Sequence, residues 1–266
     1  MSEDERILSA MLRIASEASA LVRAGYARDV RAEYKGPDDP VTEVDRAANE
    51  LIVRALLRDF PGVPIVAEES DPSTFDARAH SDETFFVDPL DGTREFLAKN
   101  GEFAVMIGLA RGGRAELGVV DATARNRVFA GGPAGAFELA PDGSRRSIRA
   151  RPPHAPLSVL VSRSRYGERT RALVERLDAV ASPTGGAGLK TVLVCAGEAD
   201  AYVHLDRAGM LWDACAGDAI ARGSGVTLTN GAGAVIDYRR DPLELTNGVI
   251  VACTEVHRTI VASLTA

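Results

Sequence analysis

The sequence predicts an α/β fold in two parts: an antiparallel sheet with helices in the N-terminal half, and a mixed α/β sheet in the C-terminal half. Three observations support it. Two amphipathic helical patterns open the chain, short apolar runs separated by glycine-bearing turns follow, and strands alternate with helices beyond the stretch "RARPPHAP". We therefore expect subdomains 1–150 and 151–266, with a cleft between them where functional sites commonly lie.

Both opening helices have recognisable start signals. Ser2 and Glu5 form a capping-box pattern, and Thr42 is a typical N-cap residue. The first helix has apolar residues at helical spacing: Ile7, Met11, Ile14, Ala18 and Leu21. The second has the apolar face Val44, Ala48, Leu51 and Ala55. We expect the second helix to end near the Pro-Gly pair at 61–62.

The remaining elements follow from short apolar runs and turn residues. Strands are predicted in the N-terminal half at 64–67, 84–87, 103–110, 115–121, 127–130 and 136–139. In the C-terminal half, strands are predicted at 157–161, 201–205 and 249–252, with helices at 168–180 and from 189, 212 and 254.

Composition limits the possible partners. The chain has 266 residues, 45% of them hydrophobic, and a net charge of −7 without a long basic cluster, which excludes nucleic-acid binding by a basic face. It lacks an uncharged apolar run of about 18 residues, so we expect no membrane partner. The opening "MSEDERILSA" is acidic where a signal peptide is basic, and we expect a cytoplasmic protein.

Acidic residues follow several of the apolar runs. Asp88 and Asp91 lie in "DPLDG", where proline and glycine indicate a turn that would bring both carboxylates to one side. Glu68 ends another run in "AEES", and Asp213 lies at a probable helix start in "LWDACAG". Carboxylate oxygens suit Mg²⁺. The ordinary alternative for "DPLDG" is an exposed turn.

Five stretches occur in a definite order along the chain: "DPVTEVD", "AEES", "DPLDGT", "GLKTVLVCAGEADAY" and "WDACAG". In this order they resemble the magnesium-dependent, lithium-sensitive phosphatases that include inositol monophosphatases and 3'(2'),5'-bisphosphate nucleotidases. The resemblance covers nearly the whole chain. It implies a layered αβαβα fold, two or three Mg²⁺ ions between the halves, a small phosphorylated substrate and a homodimer.

The resemblance also implies roles for individual residues. Those that match the family's metal ligands are Glu68, Asp88, the carbonyl of Leu90, Asp91 and Asp213. Asp45 matches the acid associated with a further, weaker metal, and Thr93 matches the threonine that polarises the attacking water together with Glu68. The predicted catalytic residues are therefore Asp45, Glu68 and Thr93.

Substrate contacts are expected on both sides of this cluster. The candidates are Gly92, Thr93, Arg94, Lys190, His204 and Asp213. Gly92 and Thr93 would present backbone donors to phosphate oxygens. Lys190 matches a family lysine near the substrate, although a solvated lysine on a helix surface is an equal alternative. Lys35 matches a loop lysine near the metal site of the inositol branch.

The substrate class remains open between branches. "DPLDGTREFLAKNGEF" resembles the bisphosphate nucleotidases, which favours removal of the 3'-phosphate of adenosine 3',5'-bisphosphate. However, Ala187 and Gly188 replace serines of that branch, Arg165 replaces a histidine, and Leu211 replaces a frequent glutamate. These departures leave an inositol or sugar monophosphatase as the alternative. A non-catalytic phospholigand-binding protein is disfavoured, because every ligand and water-activating position is retained.

Overall fold

The computed structural model describes residues 1–36, 39–206, 209–240 and 242–265. Its α-helices are Glu3–Tyr26 (α1), Glu43–Asp59 (α2), Thr93–Leu97 (α3), Glu168–Arg176 (α4), Ala187–Cys195 (α5), Trp212–Ser224 (α6) and Thr254–Thr265 (α7). Short 3₁₀ helices span Pro72–His80 and Thr123–Arg125. No helix in these ranges combines the length and the apolar character needed to cross a membrane.

The strands form a hairpin and two larger sheets. The hairpin pairs Ala32–Gly36 (β1) with Asp39–Thr42 (β2). The first larger sheet contains Ile65–Ala67 (β3), Glu83–Asp91 (β4), Ala104–Arg111 (β5), Arg114–Ala122 (β6), Arg127–Gly132 (β7), Gly135–Leu139 (β8) and Arg145–Ser147 (β9). The second contains Ser158–Ser162 (β10), Val180–Thr184 (β11), Ala201–His204 (β12), Val226–Asn230 (β13) and Val249–Cys253 (β14).

The two sheets differ in strand direction, as predicted. The seven-stranded sheet runs in the order β3-β4-β5-β6-β7-β8-β9, and every neighbouring pair except β3 and β4 is antiparallel. The five-stranded sheet runs β11-β10-β12-β14-β13, with β10 parallel to both neighbours and β14 antiparallel to both of its own. An antiparallel sheet in the N-terminal half and a mixed sheet in the C-terminal half are therefore confirmed.

The layers follow from which face of each sheet is covered. Alternation along β4 puts Phe85 and Val87 in a core with α1 and α2, whereas Phe86 faces α5 and α6. The same central core reaches Tyr202 of the five-stranded sheet, whose other face packs on α4 and α7. The layered αβαβα arrangement is therefore confirmed. The boundary near residue 150 remains a prediction.

The opening helices begin where their sequences predict. The amide of Ser2 donates to Glu5 at 2.7 Å and the amide of Glu5 donates to the Ser2 hydroxyl at 3.2 Å, which completes a capping box. The second box joins Thr42 to Asp45 at the start of α2. Because these reciprocal bonds satisfy amides that lack helical partners, they fix both helix starts.

Helix α6 lies directly on the seven-stranded sheet. A Cβ atom on Gly118 of β6 would stand 2.1 Å from the backbone oxygen of Ala216. Only a glycine permits this approach. The close packing holds α6 against β6, in the same sheet as β4, which carries Asp88 and Asp91.

One predicted helix is too long. The helix expected over 168–180 ends at Arg176, and Asp178 takes a left-handed conformation with φ of 48°. Val180–Thr184 is instead an edge strand paired in parallel with β10. Pro183 is tolerated there because an edge strand does not need every backbone donor. The prediction also missed β1, β2, β9 and β13.

Candidate active site

The two aspartates of "DPLDG" lie on a bulged strand. Asp88 pairs with Met106 and Asp91 with Ala104, so three steps on β4 oppose two on β5. The extra residue is a β-bulge, and the predicted turn is therefore wrong. Residues three apart on a regular strand would face opposite sides of the sheet, but the bulge brings both carboxylates to the same place.

A third carboxylate joins them from α6. Asp88, Asp91 and Asp213 each offer one oxygen, and these oxygens all lie within 4.8 Å of one another. The amide of Leu90 donates to Asp88 Oδ1 at 3.0 Å, and the amide of Met210 donates to Asp213. Two layers of the fold thus supply one acidic cluster.

The cluster carries more negative charge than a buried site tolerates alone. Burial, followed by the charges of Glu68, Asp213 and Asp91, raises the pKa of Asp88 well above its ordinary value. Burial, Asp91 and Glu68 raise the pKa of Asp213 to about 7. A hard divalent cation would remove this repulsion, and an all-oxygen donor set fits Mg²⁺.

Glu68 follows β3 beside this cluster. Its Oε1 atom lies 2.9 Å from Lys35 Nζ, which also contacts Glu69 Oε1 at 2.7 Å. Burial raises the pKa of Glu68, while the Lys35 charge opposes that rise. The hairpin β1-β2 thus brings a cation onto the acidic loop.

Thr93 and Asp45 form a second contact between elements. Thr93 Oγ1 donates to Asp45 Oδ1 at 2.8 Å, and the Thr42 amide donates to Asp45 Oδ2 at 2.9 Å. Burial raises the pKa of Asp45, against the hydrogen bonds from Thr42 and Thr93. Gly92, with φ of 94°, turns the chain from β4 into α3 and so presents Thr93. The capping box of α2 thereby holds the hydroxyl of Thr93.

Asp91 also faces the start of α5. Its carboxylate accepts hydrogen bonds from the amides of Ala187 at 2.9 Å and Gly188 at 2.7 Å. These amides have no partner within the helix, so Asp91 caps it. Burial raises the pKa of Asp91, while Lys190 and the two amides oppose the rise.

Lys190 lies inside the protein on α5. Lys190 is only 3% exposed. Its Nζ atom donates to the Gly186 carbonyl and lies 4.9 Å from the ring centroid of Tyr202. Burial lowers its pKa to about 8, although Asp91 and Glu95 act in the opposite direction. The alternative that Lys190 is a solvated surface residue is therefore wrong.

His204 lies near Lys190 at the end of β12. Burial, and then the charge of Lys190, lower its pKa to about 4, so the ring is neutral at pH 7. The arginine at 165 lies in the same region and is exposed. His204 can therefore offer a neutral ring nitrogen to the cavity.

These groups line one cavity of about 800 Å³. Of the predicted residues it brings together Glu68, Asp88, Leu90, Asp91, Gly92, Thr93, Arg94, Lys190, His204 and Asp213. Asp45 is not among the lining residues and reaches the cavity through Thr93. Sequence reasoning missed Glu95 and Tyr202, which also line it. Tyr202 lies in an apolar strand and gave no signal, whereas Glu95 belongs to "TREF".

Comparison with known proteins agrees with this arrangement. The inositol monophosphatase family matches residues 3–266. The 3'(2'),5'-bisphosphate nucleotidase CysQ of Salmonella typhimurium is 34% identical over 236 residues, which cover 87% of this chain and 94% of that protein. The CysQ of Escherichia coli strain K12 is 35% identical over 204 residues, which cover 77% and 81%.

Solved structures give the same result. The extragenic suppressor protein suhB of Bartonella henselae superposes with a TM-score of 0.83 at 25% identity, covering 97% of this chain and 98% of that one. CysQ of Bacteroides thetaiotaomicron, described as a bacterial member of the inositol monophosphatase family, superposes with a TM-score of 0.79 at 25% identity, covering 93% and 97%. Because the family match extends over almost the entire sequence, the chain belongs to the inositol monophosphatase family.

Proposed function

We propose that this chain is a Mg²⁺-dependent phosphatase that removes the 3'-phosphate of adenosine 3',5'-bisphosphate. The observation that carries the proposal is a single cavity lined by three clustered carboxylates and by a buried lysine. Cations bound by the carboxylates would neutralise the phosphate under attack, and the separate ammonium group of Lys190 would bind a second phosphate. The CysQ relatives, which are named 3'(2'),5'-bisphosphate nucleotidases, support the same substrate.

Magnesium would be held by side-chain oxygens and one carbonyl. The ligands are Glu68, Asp88, the carbonyl of Leu90, Asp91 and Asp213. When bound there, the ion would supply positive charge to phosphate oxygens and would lower the pKa of a bound water molecule. Asp88 and Asp213 would then remain ionised, because the cation offsets the repulsion between them.

Thr93 and Asp45 would accept the proton of the attacking water in a short relay. Thr93 Oγ1 donates its own proton to Asp45 Oδ1 at 2.8 Å, which leaves an oxygen lone pair to accept from water. As the water oxygen bonds to phosphorus, its proton would pass to Thr93 and the threonine proton to Asp45. Glu68 is the second acceptor for that water. Such positioned proton transfer contributes about 10² to 10⁴ in rate. The bond between phosphorus and the ribose 3'-oxygen would break, and the leaving oxygen would take a proton from solvent water.

The rest of the substrate would bind to the cavity wall formed by Ser162, Ser164, Arg165, Gly185, Lys190 and His204. Lys190 supplies one buried charge and Arg165 an exposed one, while neutral His204 supplies a hydrogen-bonding ring nitrogen. A cavity of about 800 Å³ lies in the range of small-molecule sites. The 5'-phosphate would therefore contact Lys190 and Arg165 while the 3'-phosphate meets the acidic cluster.

A second candidate is hydrolysis of an inositol or sugar monophosphate. It is favoured by the start of α5, where Ala187 and Gly188 carry no hydroxyl and their amides already bond to Asp91. The Leu211 side chain is buried and likewise offers no polar group to a nucleotide. These positions leave fewer contacts for a second phosphate.

A substrate panel tests the proposal. Phosphate release is measured with adenosine 3',5'-bisphosphate, inositol 1-phosphate and fructose 1,6-bisphosphate, each with Mg²⁺ and with EDTA. We expect the highest kcat/KM on the bisphosphate nucleotide and no release in EDTA. A higher value on inositol 1-phosphate would select the second candidate. Binding of all three without release would indicate a phospholigand-binding protein.

The family also supports a homodimer. Light scattering coupled to size-exclusion chromatography would give twice the chain mass of 28.1 kDa. A mass equal to one chain across the concentration range would contradict the dimer.

A further inference from the structure

Two residues that play no part in the proposed chemistry, Glu102 and Arg163, meet in the fold. Glu102 belongs to "NGEF", which precedes β5, and Arg163 belongs to "SRSR", which follows β10. Arg163 Nε lies 2.7 Å from Glu102 Oε2, and Arg163 Nη2 lies 2.8 Å from Glu102 Oε1. This bidentate pair joins residues 61 positions apart, one from each half of the chain.

The same carboxylate holds a second segment of the C-terminal half. The amide of Gly185 donates to Glu102 Oε2 at 2.7 Å. Arg163 in turn donates to the carbonyl of Pro183 at 2.8 Å, and its amide donates to the carbonyl of Thr184 at 3.2 Å. Glu102 and Arg163 therefore both form hydrogen bonds with the backbone of residues 183–185, at the end of β11 and immediately before α5.

One partner of this ion pair is buried and the other is exposed. The Glu102 side chain is 12% exposed and that of Arg163 is 46% exposed. Burial pushes the pKa of Glu102 upwards, but the hydrogen bonds from Arg163 and Gly185 outweigh it and hold the pKa below its ordinary value. Bidentate arginine-carboxylate pairs fix geometry as well as charge.

The two segments that these bonds join, 162–165 and 183–185, both contribute residues to the cavity wall. Ser162, Ser164 and Arg165 face it, whereas Arg163 between them does not. Gly185, which bonds to Glu102, also faces it. Arg163 therefore contributes nothing to the cavity wall directly, but it ties the wall to the half of the chain that carries Asp88 and Asp91.

We propose that Glu102 and Arg163 are positioning residues, whose ion pair sets the substrate-binding wall of the cavity at a fixed distance from the acidic cluster. The expected change in KM rests on the proposed phosphatase function. The expected change in amide hydrogen exchange over 185–190 does not. A displacement of about 1 Å in such a wall can lower kcat/KM by about 100-fold.

The chain contains a matched control pair. Arg151 Nε and Nη2 lie 2.8 and 2.9 Å from the two Asp200 oxygens, and the Ser158 amide donates to Asp200 at 2.7 Å. Both sites contain one carboxylate, one bidentate arginine and one backbone amide. Glu102 also has Arg125 at 3.8 Å, and Asp200 also has His154 at 3.0 Å. Neither Arg151 nor Asp200 lines the cavity. Arg151→Met therefore removes an equivalent ion pair without moving the wall.

The experiment compares Arg163→Met, Arg163→Lys, Glu102→Gln, the double variant Glu102→Gln/Arg163→Met, and Arg151→Met, all in the full chain. Amide hydrogen exchange over 185–190 is followed without ligand, and kcat, KM and calorimetric Mg²⁺ affinity are measured with adenosine 3',5'-bisphosphate as the substrate probe. We expect Arg163→Met to accelerate exchange over 185–190 and to raise KM by about 10- to 100-fold. We expect kcat and Mg²⁺ affinity to change by less than about 3-fold, because the candidate ligands stay in place, and Arg163→Lys to recover part of the loss.

Two comparisons decide the outcome. The loss in the double variant should be smaller than the sum of the two single losses, because both substitutions break the same ion pair. Equal exchange over 185–190 in Arg163→Met and Arg151→Met would overturn the inference, and so would equal KM values in an active enzyme. An inactive parent protein would instead refute the phosphatase proposal. The hydrogen-exchange data would still test whether the ion pair fixes the position of residues 185–190.

Discussion

At the scale of single residues, Asp91 has two kinds of contact. It lies within 4.8 Å of the oxygens of Asp88 and Asp213, and it accepts hydrogen bonds from the amides of Ala187 and Gly188. The first contact demands a cation, while the second supplies partial positive charge from a helix start. Asp91 thus connects the proposed metal ligands to the wall that carries Lys190.

Asp91→Asn should abolish most activity while leaving the protein folded. The amide keeps one oxygen for α5 but removes a charge from the acidic cluster. Loss of an outer partner of a metal site commonly costs about 10- to 100-fold, so loss of a direct ligand should exceed that. Turnover at saturating Mg²⁺ and Mg²⁺ affinity by calorimetry are the measurements.

Asp218→Asn provides the control for this substitution. Asp218 is a buried aspartate of α6 that bonds to Tyr238 and does not line the cavity. It should retain turnover within about 3-fold, because its charge lies outside the proposed site. Near-normal turnover in Asp91→Asn would remove Asp91 from the proposed ligands.

Lys190→Met should discriminate between substrates. Methionine keeps an apolar chain of similar length beside Tyr202 but lacks the charge. If Lys190 contacts the 5'-phosphate, kcat/KM for adenosine 3',5'-bisphosphate should fall by about 10- to 150-fold, which corresponds to about 1.5 to 3 kcal/mol. Inositol 1-phosphate has no second phosphate, so its kcat/KM should change little.

Equal losses on both substrates would give Lys190 a different role. It would then serve the phosphate common to both, or the packing of α5. Lys99→Met is the control, since Lys99 is an exposed lysine that donates to the carbonyls of Tyr26 and Arg28 and does not line the cavity. It should leave both activities unchanged.

At this scale the sequence predicted residue types better than contacts. Asp88, Asp91 and Asp213 could be selected because each carboxylate lies in a short, recognisable stretch. Burial of Lys190 could not be predicted, because a lysine on a helix is ordinarily exposed and the Tyr202 ring that covers it is distant in sequence.

At the scale of elements, strand β4 shows where local rules failed. Proline and glycine around Asp91 indicated a turn, yet the strand continues and absorbs the extra residue as a bulge opposite β5. Local sequence fixes the need for an irregular backbone, but pairing with β5 decides which irregularity forms. For the same reason β11, an edge strand, was not predicted, and the helix before it was extended to Val180.

Helix α6 carries two acids in different surroundings. Asp213 belongs to the acidic cluster, whereas Asp218, five residues later, accepts a hydrogen bond from the Tyr238 hydroxyl at 3.0 Å. Burial raises the pKa of Asp218 to about 6, against Tyr238 and the charges of Arg222 and Arg114. This ionisation should therefore be visible in the stability of the fold.

Asp218→Asn should change how stability depends on pH. Because the folded pKa lies above the unfolded one, the folded state binds the proton more tightly, and this stabilisation is present below about pH 4 and is lost as the pH rises through about 6. The difference from the ordinary value of 3.8 corresponds to about 3 kcal/mol. Asparagine does not ionise, so the stability of the variant relative to the parent should increase between pH 4 and pH 6 and then stay constant.

Thermal unfolding from pH 4 to pH 8 measures this difference. Other titrating groups are common to both proteins and cancel in the comparison. Asp82→Asn, at an exposed position, should show no such trend. A constant difference between parent and Asp218→Asn would mean that Asp218 does not ionise within this range.

At the scale of the whole molecule, the proposed ligands come from separate layers. Glu68 follows β3, Asp88 and Asp91 lie on β4, and Asp213 begins α6 in the layer between the two sheets. These residues span 146 positions of sequence, from 68 to 213 inclusive, and meet only in the folded protein. The order of the layers could be expected from the family resemblance, but the distances between ligands depend on packing such as that of α6 on Gly118.

Magnesium should therefore stabilise the folded protein. An ion that binds only the folded state adds about 2.7 kcal/mol at about 100 times its dissociation constant. In EDTA at pH 8 the acids repel one another, because this pH lies above the pKa of about 7 for Asp213. Asp213→Asn removes one of these charges, so its melting temperature in EDTA should equal or exceed that of the parent. In Mg²⁺ the order should reverse, because the variant lacks a ligand, and thermal unfolding with Mg²⁺ titrated from zero measures both effects. If Mg²⁺ raised the melting temperature of both proteins equally, Asp213 would not be a ligand; if it raised neither, the acidic cluster would not hold this ion.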